Sequence, residues 1–217
     1  MTRLGALLAA LLGGAALAAT LQVTPLSLEI DLRRSKAGSV TVTNTGRDAA
    51  RYRVTVLRVS QDGQETLQPA PEVVLNPATF TVAAGARQVL RAGFTGAAPA
   101  SAEATYRVMV QQVPLPGSAA TVSSLLSVGV PLYVRTRDGE PDVTFWTERT
   151  AQGLVLVARN AGGRRAVLAN LNVPGRTLGS LVLVAGGEMR WPVTEGVDRV
   201  TFQAGGGQAR AATVAPR

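Results

Sequence analysis

Residues Ser123–Arg135 read SSLLSVGVPLYVR, and this stretch decides how the rest of the chain is interpreted. In an extended backbone, successive side chains point to opposite faces. One face then carries four apolar side chains: Leu126, Val128, Val130 and Leu132. The other face carries a mostly small or polar set: Leu125, Ser127, Gly129 and Pro131. The pattern predicts an amphipathic β-strand.

The proline in this stretch indicates where the strand lies in its sheet. Pro131 has no N–H to donate to a neighbouring strand, which favours a sheet edge over a sheet centre. An apolar edge strand is available to pair with another chain, and most proteins suppress such edges. We therefore expect a partner-binding edge strand, with Leu126, Val128, Val130 and Leu132 as its binding side chains. An ordinary core strand is the alternative that these residues leave open.

The N-terminus, MTRLGALLAALLGGAALA, has the pattern of a secretory signal peptide. Arg3 supplies the positive start, an apolar run follows, and Ala16-Leu17-Ala18 is a small-x-small cleavage site. The run is short for a membrane span and contains glycines. We expect residues 1–18 to be removed and the mature protein to be exported, without a membrane-embedded segment.

The sequence contains no cysteine and no histidine. Disulfides, thiolate metal sites, imidazole bases and the commonest zinc ligand are thereby excluded. No serine lies in a Gly-x-Ser-x-Gly context, and no carboxylates are paired closely in sequence. We expect a protein that is not an enzyme and that needs no cofactor or metal.

The formal net charge of +8 rests on arginine, since Lys36 is the only lysine. Such an excess is compatible with nucleic acid or another anionic surface as a partner. The arginines alternate with apolar residues, as in Arg51-Tyr52-Arg53-Val54, rather than forming a basic run. This pattern is typical of the solvated face of a strand, and we expect no nucleic-acid binding.

The mature chain consists of short alternating segments separated by turn residues. Seven such segments precede residue 137, at spacings near ten residues, and none has helical periodicity. This organisation predicts an all-β immunoglobulin-like sandwich over residues 19–137. The cluster Arg137-Asp138-Gly139-Glu140-Pro141 reads as a hinge, after which a second strand series predicts a smaller sandwich over residues 138–208. Residues 209–217 are expected to be a flexible tail.

A faint internal repeat supports two related sandwiches. Asn44-Thr45-Gly46 and Asn160-Ala161-Gly162 each end a valine-rich alternating segment, near the second strand of each half. Turns of this composition are common, so the repeat is weak evidence by itself.

A series of motifs gives the chain a family resemblance. In order they are SVTVTNTG at residues 39–46, Tyr52-x-Val54, Gln61-Asp62-Gly63, Asn76-Pro77, Phe80-x-Val82-x-x-x-Gly85-x-x-Gln88-x-Leu90-Arg91, Glu103-x-x-Tyr106-Arg107-x-x-Val110, Val113-Pro114 and Val130-Pro131-Leu132-Tyr133-Val134. The chain resembles the periplasmic chaperones of pilus and fimbria assembly, the chaperone–usher family. The resemblance covers about residues 21–135 and continues more loosely beyond them.

The resemblance implies two immunoglobulin-like β-sandwich domains in an L-shaped arrangement. It also implies that the last strand of the first domain completes the incomplete sandwich of a pilus or surface-fibre subunit, a process called donor-strand complementation. The chaperone then delivers the subunit to an outer-membrane usher. The expected location is the periplasm, and the expected partners are fibre subunits and the usher.

The resemblance also raises two questions about individual residues. Members of the family bind the subunit's terminal carboxylate with an arginine and a lysine, whose positions are occupied here by Leu26 and Pro131. Arg91 and Arg107 are the alternative candidates for this carboxylate anchor. A second family feature, an ionic link between the domains, is expected from Glu103, Arg135 and Asp198.

Two other functions remain open from the sequence. A fibre subunit or adhesin would be a single incomplete domain with an alternating N-terminal extension, whereas two sandwiches are predicted here. An exported immunoglobulin-like binding module, for example for carbohydrate, would present clustered aromatic residues. The two tryptophans, Trp146 and Trp191, instead lie in core-like strand contexts.

Overall fold

The computed structural model describes residues 21–116, 125–194, 196–205 and 207–216. The predicted signal peptide, residues 1–18, lies outside this part of the chain. The described residues form β-strands, turns and loops without a helix, which confirms the all-β fold. Within them, no helix is long and apolar enough to cross a membrane.

The first sandwich contains ten strands. They are β1 (Leu21–Thr24), β2 (Leu28–Asp31), β3 (Ala37–Asn44), β4 (Ala50–Gly63), β5 (Glu65–Pro69), β6 (Val73–Asn76), β7 (Thr79–Val82), β8 (Arg87–Phe94), β9 (Glu103–Val113) and β10 (Ser127–Arg135). A four-stranded sheet in the order β1-β3-β8-β6 packs on strands β4, β9, β10 and β2 of the other sheet. Alternate side chains of both sheets, including the fully buried Tyr52 and Tyr106, form the core between them.

The second sandwich contains eight strands. They are β11 (Val143–Thr150), β12 (Gly153–Asn160), β13 (Ala166–Val173), β14 (Arg176–Leu183), β15 (Glu188–Val193), β16 (Arg199–Gln203), β17 (Ala209–Thr213) and β18 (Ala215–Pro216). The four-stranded sheet β14-β13-β16-β17 packs on strands β11, β12 and β15 around a separate apolar core that includes Leu156, Leu171 and Leu183. Two cores, one on each side of residues 137–142, define two structural units.

One long strand joins the two units. Residues 62 and 63 of β4 pair in parallel with residues 188 and 189 of β15. The larger sheets of the two sandwiches are thereby continuous, in the order β18-β11-β12-β15-β4-β9-β10-β2. We call this the ten-stranded sheet, with β5 and β7 pairing on the outer side of β4.

The chain crosses between sheets near its described start. Strand β1 pairs with β3 in the four-stranded sheet, whereas β2 pairs in parallel with β10 in the ten-stranded sheet. Leu26 lies in the crossing and is 83% exposed. The alternating segment from Leu26 to Leu32 therefore forms a shorter strand than its pattern predicts, because the backbone turns away before Leu28.

The two asparagines of the predicted repeat occupy equivalent positions. Asn44 and Asn160 are both fully buried. The Asn44 side-chain carbonyl accepts a hydrogen bond from Gly46 N–H, and its amide donates to Asp48 O and Val82 O. The Asn160 side chain likewise accepts from Gly162 N–H and donates to the carbonyls of residues 164, 183 and 184. The same side-chain bridge thus fixes the same turn in both sandwiches.

The expected flexible tail, residues 209–217, needs correction. Strand β17 pairs antiparallel with β16 over five residues, and β18 pairs in parallel with β11. Val214 is 5% exposed and lies in the second core. Residues 209–216 thus form strands at the edges of the second sandwich, where Ala212 and Val214 pack against its core.

Candidate functional site

Strand β10 has a neighbour along its whole length on one side and along half its length on the other. All nine of its residues pair with β9, from Ser127 opposite Gln111 to Arg135 opposite Glu103. Its other side pairs with β2 only from Leu132 onward. Within the described residues, the half from Ser127 to Pro131 is therefore a sheet edge, which we call the open edge of β10.

The register determines which main-chain groups this edge presents. Gln112 N–H donates to Leu126 O at 2.8 Å, which makes these opposite residues a hydrogen-bonded pair. In an antiparallel ladder, hydrogen-bonded and non-hydrogen-bonded pairs alternate. The main-chain groups of Ser127, Gly129 and Pro131 consequently point away from β9. The parallel register places the Pro131 carbonyl opposite Leu28 N–H of β2, so the open edge offers two N–H groups and two carbonyls, those of Ser127 and Gly129.

The apolar face of β10 divides into two parts. Val130 and Leu132 are 2% and 0% exposed and lie in the chain's own core. Leu126 and Val128 are half-buried and pack at the margin of that core. The expectation that all four bind a partner is therefore corrected for Val130 and Leu132. Their side chains are covered by the four-stranded sheet, and Leu132 is also flanked by β2.

An arginine crosses the opposite face of the open edge. A Cβ atom built on Gly129 would lie 3.0 Å from Cδ of Arg107, so the arginine side chain lies against this glycine. The Arg107 guanidinium makes two hydrogen bonds to the Glu65 carboxylate, of 2.7 and 3.0 Å. Arg107 and Glu65 are each about one-third exposed. A cation is thus held beside the open edge in a partly solvated ion pair.

The structure separates the two candidate carboxylate anchors. Arg107 lies on β9 directly opposite Pro131 of β10. Arg91 lies on β8, in the four-stranded sheet, where its strand neighbours are Ser39 and Asn76. The expectation for Arg91 is therefore corrected, because its exposed side chain lies on the outer face of the other sheet, away from β10.

The two domains are linked by charged groups, but by a different set from the expected one. The Glu103 side chain is 1% exposed, and it accepts hydrogen bonds from both the N–H (3.1 Å) and the guanidinium of Arg165. Arg165 also pairs with Glu29 of β2. This hydrogen bond to Arg165 is the main reason that the pKa of Glu29 lies below its usual value. Arg165 precedes β13, so these contacts join the second sandwich to the first.

The expected link from Glu103 to Arg135 and Asp198 is therefore corrected. Arg135 lies opposite Glu103 in register, but its guanidinium pairs with carboxylates of the β2 strand and the hinge: Glu29, Asp31 and Asp138. Within the described residues, the Asp198 side chain makes no ion pair, and its main-chain carbonyl accepts from Val214 N–H. Glu103 contacts the second domain through Arg165, which lies in a loop 62 residues away.

Two further contacts hold the domains together. The guanidinium carbon of Arg165 lies 3.5 Å from the centroid of the Tyr133 ring on β10, a cation–π contact. Burial raises the pKa of the Tyr133 hydroxyl above its usual value. The buried Gln61 side chain donates to Val182 O and accepts from Val184 N–H, both at 2.9 Å. Sequence reasoning missed Arg165 and Gln61, although the motif Gln61-Asp62-Gly63 had singled out the second.

The described residues contain no group of carboxylates that could hold a metal ion. The candidate site consists of the open edge of β10, the half-buried side chains of Leu126 and Val128, and the ion-paired Arg107. A partner's extended segment can pair with such an edge by main-chain hydrogen bonds, and apolar side chains along one face of the strand can contact the partner.

A family comparison gives the first domain a match. The model of the family described as pili and flagellar-assembly chaperone, PapD N-terminal domain, matches residues 21–136, more than half of the chain. The match contains β1 to β10 and thus the whole open edge. No curated protein matches the chain by sequence.

Solved structures of similar fold cover both domains. The chaperone–tip adhesin complex CsuC–CsuE of Acinetobacter baumannii matches with a TM-score of 0.75 and 19% identity, covering 92% of this chain and all of that chain. The E. coli chaperone DraB has a TM-score of 0.63 at 18% identity and covers 91% and 96%. The Salmonella enterica SafA pilin–SafB chaperone complex has a TM-score of 0.63 at 16% identity and covers 89% and 95%. At these identities the similarity shows the fold.

Proposed function

The chain belongs to the family of pili and flagellar-assembly chaperones, and from that premise we propose that it captures surface-fibre subunits by donating strand β10. The observation that carries the proposal is the open edge, which leaves the outward main-chain groups of Ser127 and Gly129 without a neighbouring strand in the described part of the chain. An extended segment of a subunit would pair there. Capture needs no catalysis, cofactor or nucleotide, in keeping with a sequence without cysteine or histidine.

The apolar side chains at the open edge supply the larger part of the proposed affinity. Fully burying a leucine or valine side chain contributes about 1.5–3 kcal/mol, before association costs are subtracted. Leu126 and Val128 are already half-buried, so each gains less than this. A partly solvated ion pair contributes about 0–1 kcal/mol. Main-chain pairing and apolar contact therefore contribute more to the free energy of binding than any single charged group.

Arg107 is the proposed contact for a terminal carboxylate of the subunit. It lies against Gly129 at the open edge, and its present partner is a carboxylate, that of Glu65. A bidentate guanidinium–carboxylate pair can be exchanged for another of the same geometry. The incoming carboxylate would displace Glu65 from the guanidinium, and the partly exposed Glu65 side chain would turn to solvent. The exchange adds one negative charge to the site, so it directs the subunit without holding it irreversibly.

The proposed location and onward delivery rest on the family and on the predicted signal peptide. Subunits would be held in the periplasm and passed to an outer-membrane usher, where another subunit's extension replaces β10. The same apolar contacts that stabilise capture would then be re-formed within the fibre.

Adjacent leucines offer a matched test of capture. Leu126 faces the apolar side of β10, whereas Leu125 faces the other side and is 49% exposed. We expect Leu126→Asp to abolish co-purification of a co-expressed fibre subunit, because a charge would have to be buried on pairing. Leu125→Asp should retain capture.

Arg107→Gln in the same assay should weaken capture by roughly tenfold or less, as expected for a single solvated charge.

Circular dichroism and thermal melting would first establish that each variant is folded. Equal capture by the Leu125 and Leu126 variants would contradict strand donation along the predicted face. Unchanged capture by Arg107→Gln would remove the carboxylate contact from the proposal while leaving strand donation in place.

A further inference from the structure

Charges are distributed unequally between the sheets. Among the described strands, every carboxylate lies in the ten-stranded sheet or on β5, which pairs with it: Glu29, Asp31, Asp62, Glu65, Glu103, Glu148 and Glu188. Strands β1, β3, β6 and β8, which form the first four-stranded sheet, contain no aspartate or glutamate. The charged residues of these four strands are Arg87 and Arg91, both on β8.

Both arginines lie on the outer face of that sheet, which we call the basic face. Positions 87, 89 and 91 are exposed and alternate with the inward-facing Leu90 and Ala92. Their strand neighbours on the face are uncharged, small or amide residues: Ser39, Thr41, Thr43 and Asn76. Val89 and Val74 are 47% and 52% exposed on the same face. The face is therefore a β-surface with two cations and two exposed valines.

The arginines of the basic face have no internal counter-charge. Within the described residues, neither Arg87 nor Arg91 makes a salt bridge or a side-chain hydrogen bond, whereas the arginines at the domain junction and beside the open edge are held by carboxylates. An unpaired guanidinium on a face without carboxylates is available to an external anion. Arginines without an ion pair also occur on other described strands, such as Arg51 and Arg53 of β4, but β4 belongs to a sheet that contains carboxylates.

Further basic residues lie at both ends of the basic face. Arg34 and Lys36 are exposed in the turn before β3, and Lys36 O accepts from Phe94 N–H at the end of β8. Arg47 is exposed in the loop that follows β3 at the other end. Asp48 lies beside Arg47 in that loop, so the additional positive charge is concentrated at the end of the sheet that carries Arg34 and Lys36.

We propose that the basic face binds the surface of an anionic phospholipid membrane. The Cα atoms of Arg87 and Arg91 are four positions apart on one strand, about 13 Å, and each side chain stands out from the sheet on its own. A partner that presents several negative charges over a broad area can pair with both. Anionic headgroups do so, and Val74 and Val89 add shallow apolar contact between the charges. This surface is on the other sheet from the open edge of β10, so membrane contact leaves capture unobstructed.

Vesicle binding tests the proposal with the full mature chain. Co-sedimentation would compare phosphatidylcholine vesicles with phosphatidylcholine–phosphatidylglycerol vesicles at low salt. The test variant is the double substitution Arg87→Gln, Arg91→Gln. The matched control is Arg51→Gln, Arg53→Gln on β4, which removes the same charge from the ten-stranded sheet, again from arginines without an ion pair among the described residues.

We expect the wild type and the control to bind only vesicles that contain phosphatidylglycerol. The test variant should bind roughly tenfold more weakly or worse, since each basic residue near an anionic surface adds a similar increment of affinity. Equal weakening of both double variants would overturn the proposal, because net charge alone would then explain binding. Absent or composition-independent binding by the wild type would also overturn it. So would binding of phosphatidylglycerol vesicles by the test variant at the strength of the wild type.

Discussion

At the scale of single residues, two buried amides fix the turns that hold each sandwich together. Asn44 and Asn160 each connect a two-residue turn to a distant loop through three or more main-chain hydrogen bonds. Their substitution would leave buried carbonyl and N–H groups without partners. We expect Asn44→Ala and Asn160→Ala each to lower the free energy of unfolding by about 2–4 kcal/mol.

Chemical denaturation monitored by circular dichroism would measure these losses. Gln22→Ala is a suitable control, because it truncates an exposed amide on β1. A loss for Asn44→Ala or Asn160→Ala no greater than that of the control would show that water replaces the side-chain bridge without cost.

The same residues show what sequence reasoning can resolve. The asparagine–glycine spacing of two residues is local, so the repeat was visible in the sequence before the hydrogen bonds were known. The partner of Glu103 could not be predicted from the sequence, because Arg165 is 62 positions away. The two residues come into contact only when the two domains pack against each other. Local geometry is encoded in a few neighbouring residues, whereas an ion pair across domains depends on the whole fold.

At the scale of elements, the alternation in β10 predicted the strand and its two faces. Alternation cannot tell how far another sheet covers the apolar face, and for that reason Val130 and Leu132 were assigned to a partner although they lie in the chain's own core. Pro131 gave more information than the alternation, because it predicted that the strand lies at a sheet edge. Pro131 lies where its missing N–H would point to the open edge.

The register of β10 leads to a prediction about proline substitutions. The Ser127 N–H points to the open edge, so Ser127→Pro should leave the fold intact and impair subunit capture. The Val128 N–H points to β9, so Val128→Pro should destabilise the domain by about 1–3 kcal/mol, because it removes a ladder bond and leaves the opposing carbonyl without a donor. Thermal melting and the co-purification assay would measure both effects. Similar melting temperatures for the two variants would contradict the assigned register.

At the scale of the whole molecule, both sandwiches were predicted from their strand series, but the sheet that joins them was not. The connection depends on two residue pairs between β4 and β15, too few to leave a periodic signal. The alternation of arginines with apolar residues predicted solvated strand faces. That the strand carboxylates lie in one sheet could be recognised only from the order of the strands.

The domain junction gives a prediction at this scale. Glu103→Gln should weaken the link to Arg165 and broaden the distribution of angles between the domains, which small-angle X-ray scattering would detect as an increased radius of gyration. The control is Glu148→Gln, which disrupts the pair with Arg190 inside the second domain. Scattering curves identical to the wild type for Glu103→Gln would show that the other junction contacts, those of Arg165 with Glu29 and Tyr133, of Gln61 and of the paired strands, maintain the angle without Glu103.

The continuity of β4 has a consequence for how the protein denatures. Its residues 51–58 complete the first sheet, and residues 62 and 63 supply neighbours to β15 in the second. When the first sandwich melts, β15 keeps its pairing with β12 but loses β4 beside Glu188 and Met189, and Val182 and Val184 lose Gln61 in the same event. Melting of the first half therefore removes contacts that stabilise the second half, and the second half alone is less stable than it is in the intact chain.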